Sequence, residues 1–211
     1  AMDIRVWRPD QPIGMDQFGV EKGERLQRIN KLKGIEDPDD PYERLVMYIK
    51  RGNHILVSGG TATGKTTFLN NMIQLLDLHK RVVTVEDVRE LKVPHKNRVH
   101  IVLSRTEQTN AFDYKKVIDL AVRFTPDAIL CGEISTSNAA AFWELMNTGH
   151  DNCFATIHAD SATEAYQAFL SRILHSSPSM DREKTLKEMR EKVKVVQINR
   201  DGNIRAVTEI T

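Results

Sequence analysis

Short apolar runs alternate with helical stretches through most of this sequence. HILVSG (54–59) precedes the helical stretch KTTFLNNMIQLLDL, and RVVTVED and RVHIVLSR come after it as further runs. The helical pattern DYKKVIDLAVRF, with Val117, Ile118, Ala121 and Phe124 near one stripe, leads to the run DAILCGEI. SNAAAFWELMNTG, CFATIHA and SATEAYQAFLSRIL then continue the alternation. Runs that are apolar throughout and separated by helices predict a parallel sheet covered on both faces. The tail departs from this pattern. A polar helix over Arg182–Lys192 leads into VKVVQINRDGNIRAVTEI, where Asp201-Gly202 between two alternating runs predicts a hairpin. The expected fold class is therefore α/β, with a mostly parallel central sheet and a C-terminal β-hairpin.

Ahead of this region the chain reads differently. DIRVWRP has the pattern of a strand without a partner, residues 10–23 have linker composition, and residues 24–33 predict a short basic helix. Ala1 standing before Met2 points to a piece of a longer protein. The acidic turn EDPDDP supplies a start for the helix YERLVMYIKR, which places Leu45, Ile49 and Tyr48 or Tyr42 on one face.

Thirty basic residues against 29 acidic ones leave a formal charge of +1. Nucleic-acid binding at scale needs a basic surplus on one face, which this balance does not supply. No apolar run reaches the roughly 20 residues that cross a bilayer. Cys131 and Cys153 lie in apolar runs without a CxxC pairing, and are expected as reduced, partly buried thiols.

One loop carries explicit chemistry. GGTATGKT fits G-x-x-x-x-G-K-[ST] through Gly59, Gly64, Lys65 and Thr66, and sits between an apolar run and a helix. In that context the backbone N–H groups of Gly60, Thr61, Ala62, Thr63, Gly64 and Lys65 turn inward around phosphate oxygens, which needs small residues and glycine dihedrals. The helix beginning at Lys65 presents its positive end to the same anion. Lys65 is expected on the β- and γ-phosphates, the Thr66 hydroxyl on Mg²⁺, and Thr67 on the α-phosphate of ATP.

Hydrolysis needs acids as well. Ligands of open α/β sheets bind beyond the C-terminal ends of the strands. Two runs end there in carboxylates, VVTVED in Glu86 and Asp87 and AILCGE in Glu133. His158 closes the run CFATIH and is a candidate for sensing the γ-phosphate. His150 stands before that run and is a weaker candidate, and the spacing is not that of a zinc site.

The order GGTATGKTT, TVEDVREL, TPDAILCGEI, TGHDNCFATIHADS resembles the type II/type IV secretion ATPase superfamily, as its Walker A, Asp box, Walker B and His box. The wording EDVREL, NTGHDN and IHADS is nearest to the type IV secretion (VirB-type) traffic ATPases. The resemblance implies a RecA-like motor domain over residues 24–211. Residues 1–23 would be the last strand of an absent N-terminal domain plus a linker. It implies a homohexamer at the cytoplasmic side of the inner membrane, working with secretion channel components and moving protein or nucleoprotein substrates. Glu86 would activate water, Glu133 would stand near Mg²⁺ and His158 near the γ-phosphate, with Arg89 and Arg105 contributing to the site or a subunit interface. Against the family pattern GEIRG, this chain reads Gly132-Glu133-Ile134-Ser135-Thr136, so Ser135 replaces a positive charge near the acid; AVRFTPD also departs. The alternatives are a type IV pilus or type II secretion ATPase, whose members often read EDPIE, and an ATP-gated scaffold with weak hydrolysis.

Overall fold

The computed structural model describes residues 36–103 and 113–211. The chain divides into two compact units, residues 1–47 and 48–211. In the first, residues 36–47 hold the acidic turn and the start of helix α1 (Pro41–Lys50), where the Asp40 carboxylate accepts the Glu43 N–H at 2.8 Å. The opening run, the linker and the basic helix expected over residues 24–33 lie outside the described residues.

In the second unit the alternation resolves into a single sheet. Its strands are β1 (His54–Ser58), β2 (Val82–Glu86), β3 (Arg98–Val102), β4 (Ala128–Cys131), β5 (Cys153–Ile157), β6 (Val193–Asp201) and β7 (Ile204–Ile210). They lie in the order β3-β2-β4-β5-β1-β6-β7, parallel throughout except for the antiparallel β6–β7 pair. The parallel sheet and the C-terminal hairpin are as expected. Gly202 and Asn203 make the turn, one position later than the Asp-Gly pair would place it, with Gly202 at φ 57°.

Strands β1, β2, β4 and β5 are buried along their whole length, as apolar runs covered on both faces must be. Alternate residues (Leu56, Ile129, Cys131, Ala155, Val195) face one side. There they meet α4 (Ala139–Met146), α5 (Ala162–Ser176) and Met189 of α6 (Arg182–Lys192). Trp143 and Phe169 lock α4 to α5 edge to face, with ring centroids 6.2 Å apart. Helix α2 (Lys65–Ile73) buries Leu69, Met72 and Ile73 outside that cluster and packs on β1 and β5. Helix α3 (Tyr114–Arg123), capped by Asp113, buries Tyr114, Val117, Ile118 and Ala121 at helical spacing. Both cysteines are free, as expected, and more fully buried than the sequence implied because each lies on a central strand; burial pushes the Cys131 thiol up to about 12.

Two elements differ from the sequence expectation. Strand β3 is partly exposed because it is the sheet's outer strand, paired with β2 alone among the described residues. Helix α2 ends at Ile73 rather than running through Leu78. There the N–H groups of Gln74, Leu75 and Leu76 shift to carbonyls three residues back, and Asp77 accepts the His79 N–H. No helix among the described residues is long and apolar enough to cross a membrane.

His54 at the start of β1 gives this core a pH dependence. The Cys153 N–H donates to its Nδ1 at 3.3 Å, so Nε2 carries the proton and donates to the Met146 carbonyl at 3.1 Å. Burial lowers its pKa from 6.5 to about 4, with Asp151 opposing the shift and Lys192 and His150 adding to it. Between these values the unfolded chain binds a proton that folded His54 refuses. Stability is therefore fully present above pH 6.5 and falls as pH drops toward 4, by about 3 kcal/mol in full. Urea titrations across that window should give a steeper loss for wild type than for His54→Gln; equal slopes would contradict the assignment.

Candidate phosphate-binding site

Parallel strands bring their C-terminal ends to one rim, and the register decides which residues meet there. Ser58 pairs with Ile157, Cys131 with Ala155 and Val85 with Cys131. The loop after β1, Glu86 at the end of β2, Glu133 after β4 and His158 after β5 thus share an edge. They line a cleft of about 430 Å³ together with Thr61, Ala62, Gly64, Lys65, Thr66, Thr67 and Asp87.

The loop after β1 is shaped for an anion. Ala62 and Gly64 take positive φ, 59° and 96°. Gly59 admits no side chain, since a Cβ there would come within 2.5 Å of the Ile198 carbonyl oxygen. Helix α2 starts with no side-chain cap and no acid in its first turn, which leaves its N–H groups and positive end to the cleft. Gly60 and Thr63, read from the sequence as part of the cradle, do not line the cleft. The Gly60 carbonyl accepts Lys65 Nζ at 2.7 Å and Thr63 Oγ1 at 3.0 Å, bonds that hold the loop's shape.

Lys65 is buried and also donates to the Gly59 carbonyl at 2.9 Å. Its Nζ lies 3.2 Å from His158 Nδ1, and His158 Nε2 lies 3.3 Å from Glu133 Oε1. An ammonium only donates, so Nδ1 is the acceptor and the His158 proton sits on Nε2, facing the carboxylate. A hydrogen-bonded line thus runs from the glycine-rich loop through the histidine to the acid. Burial lowers the Lys65 pKa, and the Glu133 charge opposes that shift.

Glu86 is more enclosed than a residue free to swing. It is 1% exposed, and its Oε2 accepts the N–H groups of Glu90 and Leu91, both at 2.8 Å. The carboxylate therefore shapes the loop after β2. Its Oε1 is buried with no hydrogen-bond partner among the described residues, and His100 Nδ1 lies 4.0 Å from it. Gly132 gives the side chain room, because a Cβ there would touch Glu86 Cγ at 3.4 Å.

Two supporting residues were not legible in the sequence. Buried Asn138 donates to the Glu133 carbonyl at 2.8 Å and accepts the Ser135 N–H at 2.9 Å, fixing the loop that carries the acid. Burial lowers the pKa of Arg172 on α5, with the Glu133 charge opposing that shift, and its buried Nη1 has no hydrogen-bond partner among the described residues. Arg89 lies outside the cleft, in a groove with Lys92, Arg98 and His100. His150 sits in the loop before β5, bonded to Thr148, and does not line the cleft. Arg105 lies outside the described residues.

Comparison with known proteins places the chain in a family. Residues 22–177 match the family described as type II/IV secretion system protein. The chain belongs to that family. Among the relatives of this secretion family member, the type IV secretion system protein VirB11 of Bartonella quintana is 31% identical over 165 residues, covering 74% of this chain and 46% of the relative. The type IV secretion system protein PtlH of Bordetella pertussis is 34% identical over 137 residues, covering 61% and 40%. The crystal structure of the VirB11 ATPase from the Brucella suis type IV secretion system, in complex with sulphate, superposes with a TM-score of 0.75 at 24% identity. It covers 87% of this chain and 56% of that one. The secretion family's RecA-like arrangement, a mostly parallel sheet closed by an antiparallel hairpin, is the fold of this chain. The chain spans about half the length of the relatives it matches.

Proposed function

We propose that this chain is the motor part of an ATP-hydrolysing type IV secretion traffic ATPase. The observation that carries the reading is the line Lys65–His158–Glu133 in the cleft that also holds Glu86. ATP binds with its phosphates on the loop of residues 60–67, Lys65 on the β- and γ-phosphates and Thr67 on the α-phosphate. His158 faces the γ-phosphate, and Glu86 accepts the proton of the attacking water at Oε1. Arg172 supplies near Glu133 a positive charge that Ser135 does not.

Mg²⁺ fits the oxygen donors here. The Thr66 hydroxyl and the Glu133 carboxylate line one cleft, and Mg²⁺ takes one or two protein oxygens alongside phosphate and water. When bound, the ion neutralises charge on the phosphates. The names of the relatives support a role in type IV secretion. The whole protein would act as a homohexamer on the cytoplasmic side of the inner membrane, with channel components as partners and a protein or nucleoprotein as cargo.

The test is calorimetric titration of ATP into wild type and Glu133→Gln, each with and without Mg²⁺. Wild type should bind ATP more tightly with the ion, and the variant should lose most of that gain. An equal gain in both would remove Glu133 from the metal site, and no ATP binding by wild type would sink the reading.

A further inference from the structure

The Glu86 side chain is 0% exposed, and Oε1, the oxygen read above as the base, has no hydrogen-bond partner among the described residues. A base so enclosed must lose the proton it has taken before it can act again. On the β3 side it has one titratable neighbour within ion-pair distance. His100 Nδ1 lies 4.0 Å from Oε1, and the His100 side chain is 14% exposed. We propose that His100 is the proton outlet of Glu86, taking the proton of Oε1 at Nδ1 and passing one on to water in the groove beside β3. The inference rests on the reading of Glu86 as the base and names what restores that base.

The sheet register puts the pair together. Thr84 of β2 pairs with His100 of β3, and Glu86 with Val102. Alternation along β2 turns Thr84 and Glu86 to one face, and His100, paired with Thr84, turns to that face too. Thr84 is buried, and its Oγ1 lies 2.9 Å from His100 Nδ1. A hydroxyl serves both states of the ring, since it donates to Nδ1 of the neutral imidazole and accepts from Nδ1–H of the imidazolium. Thr84 therefore holds Nδ1 in place through uptake and loss of a proton. The 4.0 Å gap to Oε1 is about 1 Å longer than a hydrogen bond, and contacts of this kind tighten when substrate binds.

The surroundings favour release outward. His100 lines a groove of about 470 Å³ with Arg89, Glu90 and Lys92 of the loop after β2 and Arg98 of its own strand. Burial lowers the His100 pKa from its usual 6.5; Arg89 and Arg98 add to that shift, and the Glu86 charge opposes it. At neutral pH the ring is thus uncharged and able to accept. Once it is charged, the three exposed cations of the groove outnumber Glu90 and repel the added proton. The O–H bond of the Glu86 carboxylic acid breaks as an N–H bond forms at Nδ1, which returns Glu86 to its carboxylate. The imidazolium then gives one proton to groove water, and exchange with that water restores the starting tautomer.

Turnover with chemical rescue tests the assignment. Steady-state phosphate release is measured for wild type, His100→Ala, His100→Gln and Glu86→Gln, with thermal melts to confirm folding. Both His100 variants should lose on the order of 10²-fold in kcat, with KM for ATP within about twofold because the phosphate contacts are untouched. Added imidazole should restore most of the turnover of His100→Ala, and the rescue should grow with pH as imidazole loses its proton. His100→Gln, whose side chain fills the space, should gain little. Normal kcat in both His100 variants overturns the inference. So does a low kcat in His100→Ala that imidazole leaves unchanged, which would make His100 a packing residue of β3. Glu86→Gln separates the two failures: normal turnover there removes the base itself, whereas a dead Glu86→Gln beside unaffected His100 variants removes the outlet alone. A wild type without turnover takes the hydrolytic reading down as well.

Discussion

Glu86→Gln should stop turnover while leaving Mg-ATP bound, whereas Glu86→Ala should also loosen the protein. The difference arises from how the two carboxylate oxygens are used. Oε2 accepts the Glu90 and Leu91 N–H groups, and Oε1 is buried without a hydrogen-bond partner among the described residues. A glutamine can keep both N–H bonds with its amide oxygen while its NH₂ takes the place of Oε1. The loop then survives, and the base does not. General bases contribute on the order of 10²–10⁴-fold to rate, so phosphate release should fall by that factor. Alanine strands the two N–H groups, one of them buried, and should cost about 2–4 kcal/mol of stability. Phosphate release and urea melts on both variants check this. A glutamine variant with normal turnover would remove Glu86 as the base, and an alanine variant as stable as wild type would remove it as the loop's anchor.

How far the sequence carried depended on the range of the physics involved. The glycine-rich loop was legible because its geometry is local: a strand, small residues that accept positive φ, and a helix start lie within one stretch. The rim positions of Glu133 and His158 were legible too, since apolar runs ending in polar residues show where parallel strands stop. Glu86 was legible as a strand-end acid, but its anchoring role was not. That role depends on an irregular turn that brings the N–H groups of Glu90 and Leu91 back to it. Asn138, Arg172 and His100 escaped notice for a related reason. Each reaches the site from a turn, a helix or a neighbouring strand, and composition does not encode such packing. The exposed strand β3 shows the same limit, because its apolar residues read alike whether one neighbour covers it or two.

Lys65→Ala should have the largest effect on binding. Lys65 is 8% exposed, and its ammonium is held by the Gly59 and Gly60 carbonyls and His158. Among the residues expected on the phosphates it is the cation, and charge-assisted hydrogen bonds are worth about 1.5–3 kcal/mol each. Losing two of them to the β- and γ-phosphates amounts to about 4 kcal/mol, or on the order of a thousandfold in affinity. Removal also takes away the donor that sets the His158 tautomer, so the proton facing Glu133 is no longer fixed. The measurement that bears most directly on the phosphate site is calorimetry of Mg-ATP with wild type and Lys65→Ala side by side, both confirmed folded by thermal melting. The account predicts saturable one-to-one binding by wild type and a loss on the order of a thousandfold in the variant; equal affinity in the two proteins would contradict it.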